Sequence, residues 1–142
     1  LGIGGWSYGG FMTCWTVTQT DRYKAAVMGA GISNWLSVHG NTEIHTWDAA
    51  HYDADPYERD GAFARFSGMN FASRVKTPTL VLHGEADRCV PSEQAYQFHR
   101  ALRDHGVDSE LVLYPREGHT ISEKRHWLDL RRRVMAWYAK YL

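Results

Sequence analysis

The sequence has 142 residues, 44% of them hydrophobic, with 16 basic and 16 acidic side chains and a formal net charge of +0. That is enough apolar material for one globular core, and it leaves no electrostatic excess to hold nucleic acid or an anionic membrane surface. No apolar stretch reaches the roughly 18 residues of a membrane span, and two cysteines outside any CxxC pair exclude a disulfide scaffold and favour a reducing, cytoplasmic setting.

In chain order, Leu1 to Gly4 is a short apolar run ending in glycines, and Phe11 to Val17 carries bulky residues without a breaker. Together they read as strand, turn and helix, with Ser7 at the turn. Tyr23 to Ile32 predicts a buried strand. Ser33 to Phe71 is polar and aromatic, with helical fragments but no clear period. Thr77 to Gly84 predicts the next strand, its proline at the start, where no ladder donor is lost. Ser92 is a candidate N-cap for a helix carrying Ala95, Phe98 and Leu102, with Gly106 as its stop. Glu110 to Tyr114 predicts a further strand. A last helix from about Ser122 places Trp127, Leu130, Val134, Tyr138 and Tyr141 on one apolar face. Strands alternating with helices imply a parallel sheet covered on both faces. Arg131 to Arg133 fall within the last helix and read as part of a solvated face rather than a nucleic-acid patch.

Gly5-Trp6-Ser7-Tyr8-Gly9 is a GxSxG motif between a strand and a helix. A nucleophile on so sharp a turn has a strained backbone, and glycines two residues to either side make room for it. The turn leaves the Tyr8 N–H at a helix start, where an oxyanion would form. A serine hydroxyl needs a base, and the base needs a carboxylate to fix its tautomer. Such groups gather past the carboxyl ends of strands. Asp87, in HGEADRCVP, and His119, in YPREGHT, both sit there, in the chain order Ser, Asp, His of α/β-hydrolases. Glu85 is the alternative acid. His83, at a strand end, reads as a packing residue.

GWSYGG, HGEADRCVP and YPREGHT together resemble the catalytic domain of the prolyl oligopeptidase family of serine peptidases, closest to its acylaminoacyl-peptidase and dipeptidyl-peptidase branches. The likeness runs end to end and includes DRYKAAV. It implies an α/β-hydrolase fold of which residues 1–142 are a partial catalytic domain with the last four of eight strands. It also implies Ser7 as nucleophile, Asp87 as orienting acid, His119 as base and the Tyr8 N–H as an oxyanion donor. Ser33 to Val38 would line the pocket for the residue before the scissile bond, with Ile32, Trp35, Val38 and Val90 as its apolar walls or, equally, as plain core. The implied reaction is two-step acyl transfer from short peptides, with no cofactor or metal and a rate rising with pH through the usual histidine value of about 6.5.

The resemblance also implies a second oxyanion donor and a β-propeller upstream of the nucleophile. The strand at Leu1 would otherwise be an open edge, covered by preceding chain or by another copy in a homo-oligomer. An esterase acting on small acyl esters and a catalytically inactive interaction domain are the alternative functions. His39, His45 and His51 recur every six residues but match no metal-ligand spacing and read as a polar surface excursion. Cys89 reads as a small buried residue.

Overall fold

The computed structural model describes residues 1–142. Four strands, β1 (Gly2–Trp6), β2 (Ala25–Gly29), β3 (Thr79–Gly84) and β4 (Ser109–Tyr114), form one sheet in the order β1-β2-β3-β4. Every pairing is parallel, with Gly2 beside Ala25, Ala26 beside Thr79 and Thr79 beside Ser109. All four predicted strands form, and each connection carries helix.

Alternation along the inner strands explains the layers. Ala26, Met28 and Val81 face a core with Cys14 and Val17 of α1 (Tyr8–Gln19) and Phe98 and Leu102 of a helix at Glu93–Asp104. Ala25, Val27, Leu80 and Leu82 face the opposite core, with Trp137 of the C-terminal helix Lys124–Tyr141. Strands buried on both faces read as continuous apolar runs, which is how β2 and β3 read.

Between β2 and β3 the unperiodic stretch folds into α2 (Trp35–Asn41), α3 (His45–Tyr52), the short α4 (Ala62–Arg65) and a 3-10 segment, Gly68–Arg74. The two later helices are then α5 (Glu93–Asp104) and α6 (Lys124–Tyr141). No helix is long and apolar enough to cross a membrane.

Three local expectations change. Trp127 does not join the buried face of α6: it is exposed, with the Arg131 guanidinium 3.4 Å from its ring centre, while Trp137 fills the core. Ser92 does not cap α5, because it has helical backbone angles and accepts no side-chain cap hydrogen bond. Ser122 lies before α6 and donates its hydroxyl to Glu117.

Candidate active site

The sharp turn after β1 holds Ser7 at a φ of 58°, a conformation that costs a non-glycine residue of order 1–3 kcal/mol. The Ser7 N–H donates to Gly29 O at 2.9 Å, locking the turn onto β2, and Ser7 O accepts the Phe11 N–H as α1 begins. The two glycines of the motif are not equivalent. A Cβ on Gly5 would lie 2.5 Å from the Gly9 carbonyl carbon, whereas one on Gly9 would meet nothing within 4 Å. Only Gly5 is required sterically, which corrects the symmetric reading.

The parallel sheet brings the ends of β1, β3 and β4 together. His119 Nε2 lies 2.8 Å from Ser7 Oγ, and its Nδ1 lies 2.8 Å from Asp87 Oδ2. Because Asp87 offers only acceptors, the proton sits on Nδ1, and Nε2 is left to accept from the Ser7 hydroxyl. Asp87 Oδ1 accepts the N–H groups of Cys89 and Val90 at 3.0 and 2.9 Å. Burial pushes the Asp87 carboxyl up, but hydrogen bonds from His119, His83 and the Val90 N–H outweigh it and hold it at about 2. Glu85 is exposed and its N–H pairs with Tyr114 O, so it stands outside this chain of hydrogen bonds.

The backbone around His119 is secured by residues the sequence did not single out. Trp6 Nε1–H donates to His119 O at 2.8 Å. Gly84 packs against the Glu117 and Gly118 carbonyls so closely that a Cβ there would overlap the Gly118 oxygen. The buried Glu117 carboxylate accepts from the Ser122 N–H and hydroxyl, the Glu123 N–H and His126 Nδ1, between 2.8 and 2.9 Å. The Ser122 N–H leads these bonds in holding its carboxyl at about 2. Glu117, Glu123 and His126 lie close enough to hold a metal ion. Both Glu117 oxygens are already taken, and Arg116 pairs with both Glu123 oxygens at 3.0 Å, so the group ties the turn after β4 to the residues just before α6.

Beside Ser7 opens an apolar cavity of about 160 Å³, comparable with cavities that take up a benzene ring. Ile32, Trp35, Val38 and Val90 all line it, and Ser33 does not: its hydroxyl is tied to Gln94 O at 2.8 Å. The remaining wall comes from Thr42, Ile44, Trp47 and Asp48 of the α2–α3 region, from Cys89 and from Tyr8. The histidine-rich stretch is a surface excursion at His45 and His51, which are exposed, but it also supplies part of the cavity wall. His39 pairs with buried Asp48 at 3.0 Å, and His51 stacks on Trp47 with ring centres 5.0 Å apart. Cys89 is half-buried at the cavity wall rather than fully buried, and burial with the charges of Asp87 and Glu43 raises its thiol away from reactivity.

A parallel sheet with a strained serine turn after one strand, and acid and histidine loops after two others, defines an α/β-hydrolase fold. The whole chain, residues 1–142, matches the prolyl oligopeptidase family, and it belongs to that family. It is 40% identical over its full length to the Bacillus subtilis peptidase YuxL and 32% identical over 96% of its length to the Arabidopsis thaliana acylamino-acid-releasing enzyme. The chain spans about a fifth of these relatives, 22% and 19% respectively. Among solved structures, Pyrococcus horikoshii acylaminoacyl peptidase superposes on 99% of the chain with a TM-score of 0.94 at 30% identity, and the chain covers 24% of it. An acylaminoacyl peptidase in complex with Z-Gly-Gly-Phe-chloromethyl ketone superposes with a TM-score of 0.92 at 31% identity, over 99% of this chain and 24% of that one.

Proposed function

We propose that residues 1–142 are the nucleophile-to-histidine portion of a serine peptidase catalytic domain, acting on short peptides with an apolar or aromatic residue before the scissile bond. The observation that carries this reading is the unbroken hydrogen-bonded chain from Asp87 through His119 to Ser7, at 2.8 Å per step, ending on a serine with a φ of 58°. Family membership supports peptide chemistry, and the aromatic-lined cavity beside Ser7 supports the side-chain preference. The phenylalanine in the ligand of one similar acylaminoacyl peptidase points the same way.

In this mechanism Ser7 Oγ attacks the substrate carbonyl carbon while His119 Nε2 takes the hydroxyl proton. Asp87 keeps the imidazole in the required tautomer and stabilises the imidazolium. The Tyr8 N–H, the first of α1, donates to the oxyanion, aided by the helix N-terminus. His119 returns the proton to the leaving amine, and a water activated by the same nitrogen then hydrolyses the acyl-enzyme.

Labelling with a fluorophosphonate probe, read as a mass shift, tests this reading. Labelling that is lost in Ser7→Ala is the expected result, with turnover of short peptides bearing an apolar residue. Turnover of small esters without peptides would identify an esterase instead. A folded protein that does not label would identify a non-catalytic domain.

A further inference from the structure

We propose that His83 is a positioning residue for this site: its Nε2–H ties the Asp87 carboxylate to the Val90 carbonyl, joining the acid to the wall of the apolar cavity. The inference rests on the catalytic reading above and adds to it a residue that touches neither Ser7 nor the substrate cavity.

His83 lies near the carboxyl end of β3 and is fully buried. Its Nε2 is 2.7 Å from Val90 O and 3.3 Å from Asp87 Oδ2. Both neighbours are acceptors, so the ring proton sits on Nε2, donated to Val90 O with Asp87 Oδ2 as the longer second contact. Nδ1 is buried without a hydrogen-bond partner and carries no proton. A buried nitrogen left unpaired costs stability, so packing alone favours an apolar side chain of similar size at this position. What the imidazole adds over such a side chain is the Nε2–H.

The consequence lies in Val90. Its N–H donates to Asp87 Oδ1 at 2.9 Å and its C=O accepts from His83, so both polar groups of the residue are held around one carboxylate. The Val90 side chain lines the cavity beside Ser7. Asp87 Oδ2 is thus fixed on one side by His83 and on the other by His119, and the direction from which it accepts the His119 Nδ1–H hydrogen bond is set from β3.

Three substitutions in the natural full-length protein separate the donor from the packing. A glutamine amide reaches the position of Nε2, an asparagine amide falls short at the position of Nδ1, and methionine fills the space with no donor. The rate of fluorophosphonate labelling at Ser7 is measured, with kcat and KM for an ester of an apolar amino acid and thermal unfolding as a check on folding. His83→Asn and His83→Met are expected to label about 10- to 100-fold more slowly, with the loss in kcat, because a slightly misplaced group costs rate rather than binding. His83→Gln is expected to stay within about threefold of the parent, since it restores the hydrogen bonds. If His83→Met fails to fold, the His83→Gln and His83→Asn pair decides alone. Folded variants that all label at the parent rate would overturn the proposal, and so would a His83→Gln as slow as His83→Asn. A parent protein that does not label at Ser7 overturns the catalytic reading itself, and this one with it.

Discussion

Ser7 Oγ and His119 Nε2 lie 2.8 Å apart although 112 residues separate them in the chain. The contact exists because β1 and β4 run parallel in one sheet, with their carboxyl ends at the same end of it, and because Trp6, the neighbour of Ser7, holds the His119 carbonyl. Loss of the Trp6 N–H should therefore loosen His119 without touching the reacting groups. Trp6→Phe is expected to lower the rate of Ser7 labelling by several-fold to about 100-fold, the range for a slightly misplaced catalytic group. Stopped-flow labelling of the folded variant checks it.

Asp87 accepts from two backbone N–H groups and from His119, with His83 Nε2 also against Oδ2, so a neutral isostere there cannot serve all of them. An asparagine oxygen toward the backbone turns its amide toward Nδ1, which must then accept, and the proton moves to Nε2. Asp87→Asn is expected to lower kcat by about 10⁴-fold while the fold persists, as in the template Ser-His-Asp enzymes. Steady-state kinetics on a short apolar peptide measures this, and activity within tenfold of the parent would remove Asp87 from the mechanism.

Acid should unfold the protein through carboxyls held low by their hydrogen bonds, Asp108, Glu123 and Asp129 at the surface and, most strongly, two buried ones. Asp87 and Glu117 are both held at about 2, below the roughly 3.9 and 4.3 of an unfolded chain. Groups with depressed values contribute stability that is fully present above the unfolded values and is lost as protons bind. Thermal unfolding is thus expected to hold steady down to about pH 5 and to fall steeply between about pH 4 and 2. Glu117→Gln is expected to flatten that fall, and an unchanged slope in this variant would contradict the assignment.

The glycines of the serine turn should respond differently to a methyl group. Gly5→Ala would press a Cβ into the Gly9 backbone and is expected to cost about 1–3 kcal/mol or more, with loss of labelling. Gly9→Ala meets open space within α1 and is expected to be neutral or to stabilise by about 0.5–1 kcal/mol, the ordinary helix preference for alanine. Denaturant midpoints of the two variants give the comparison.

Trp47 is 45% exposed yet forms part of the cavity wall, so it can be removed without opening the core. Trp47→Ala is expected to lower kcat/KM for a substrate with a phenylalanine before the scissile bond by about tenfold or more, in keeping with the loss of 1.5–3 kcal/mol of apolar contact. A glycine in that position should be affected much less. Equal losses on both substrates would mean that Trp47 does not contact the side chain.

Much of this protein is legible from residue order. Alternating apolar runs and helical spacings point to the four parallel strands, and the GxSxG turn marks Ser7. Asp87 and His119 stand out because each comes just after an apolar run, and parallel strands deliver the loops at their carboxyl ends to one end of the sheet. These signals are local: turn chemistry, strand ends and periodicity depend on neighbours within a few residues.

The remainder needs the folded chain. Trp47, Ile44 and Asp48 lie in a stretch with no usable period, and only the docking of α3 against Trp35 makes them a cavity wall. Trp127 satisfies the spacing of the buried face of α6, yet its ring lies under Arg131 in solvent and Trp137 takes the place in the core. His83 and Glu117 resemble ordinary polar residues, and they acquire meaning from acceptors and donors that tertiary packing supplies. The succession of strands and the nucleophile turn are thus written in short-range preferences, which residue order carries unaided. Which polar groups lie buried beside one another is a property of the assembled sheet, because burial and hydrogen bonding between distant segments exist only once it has brought them together.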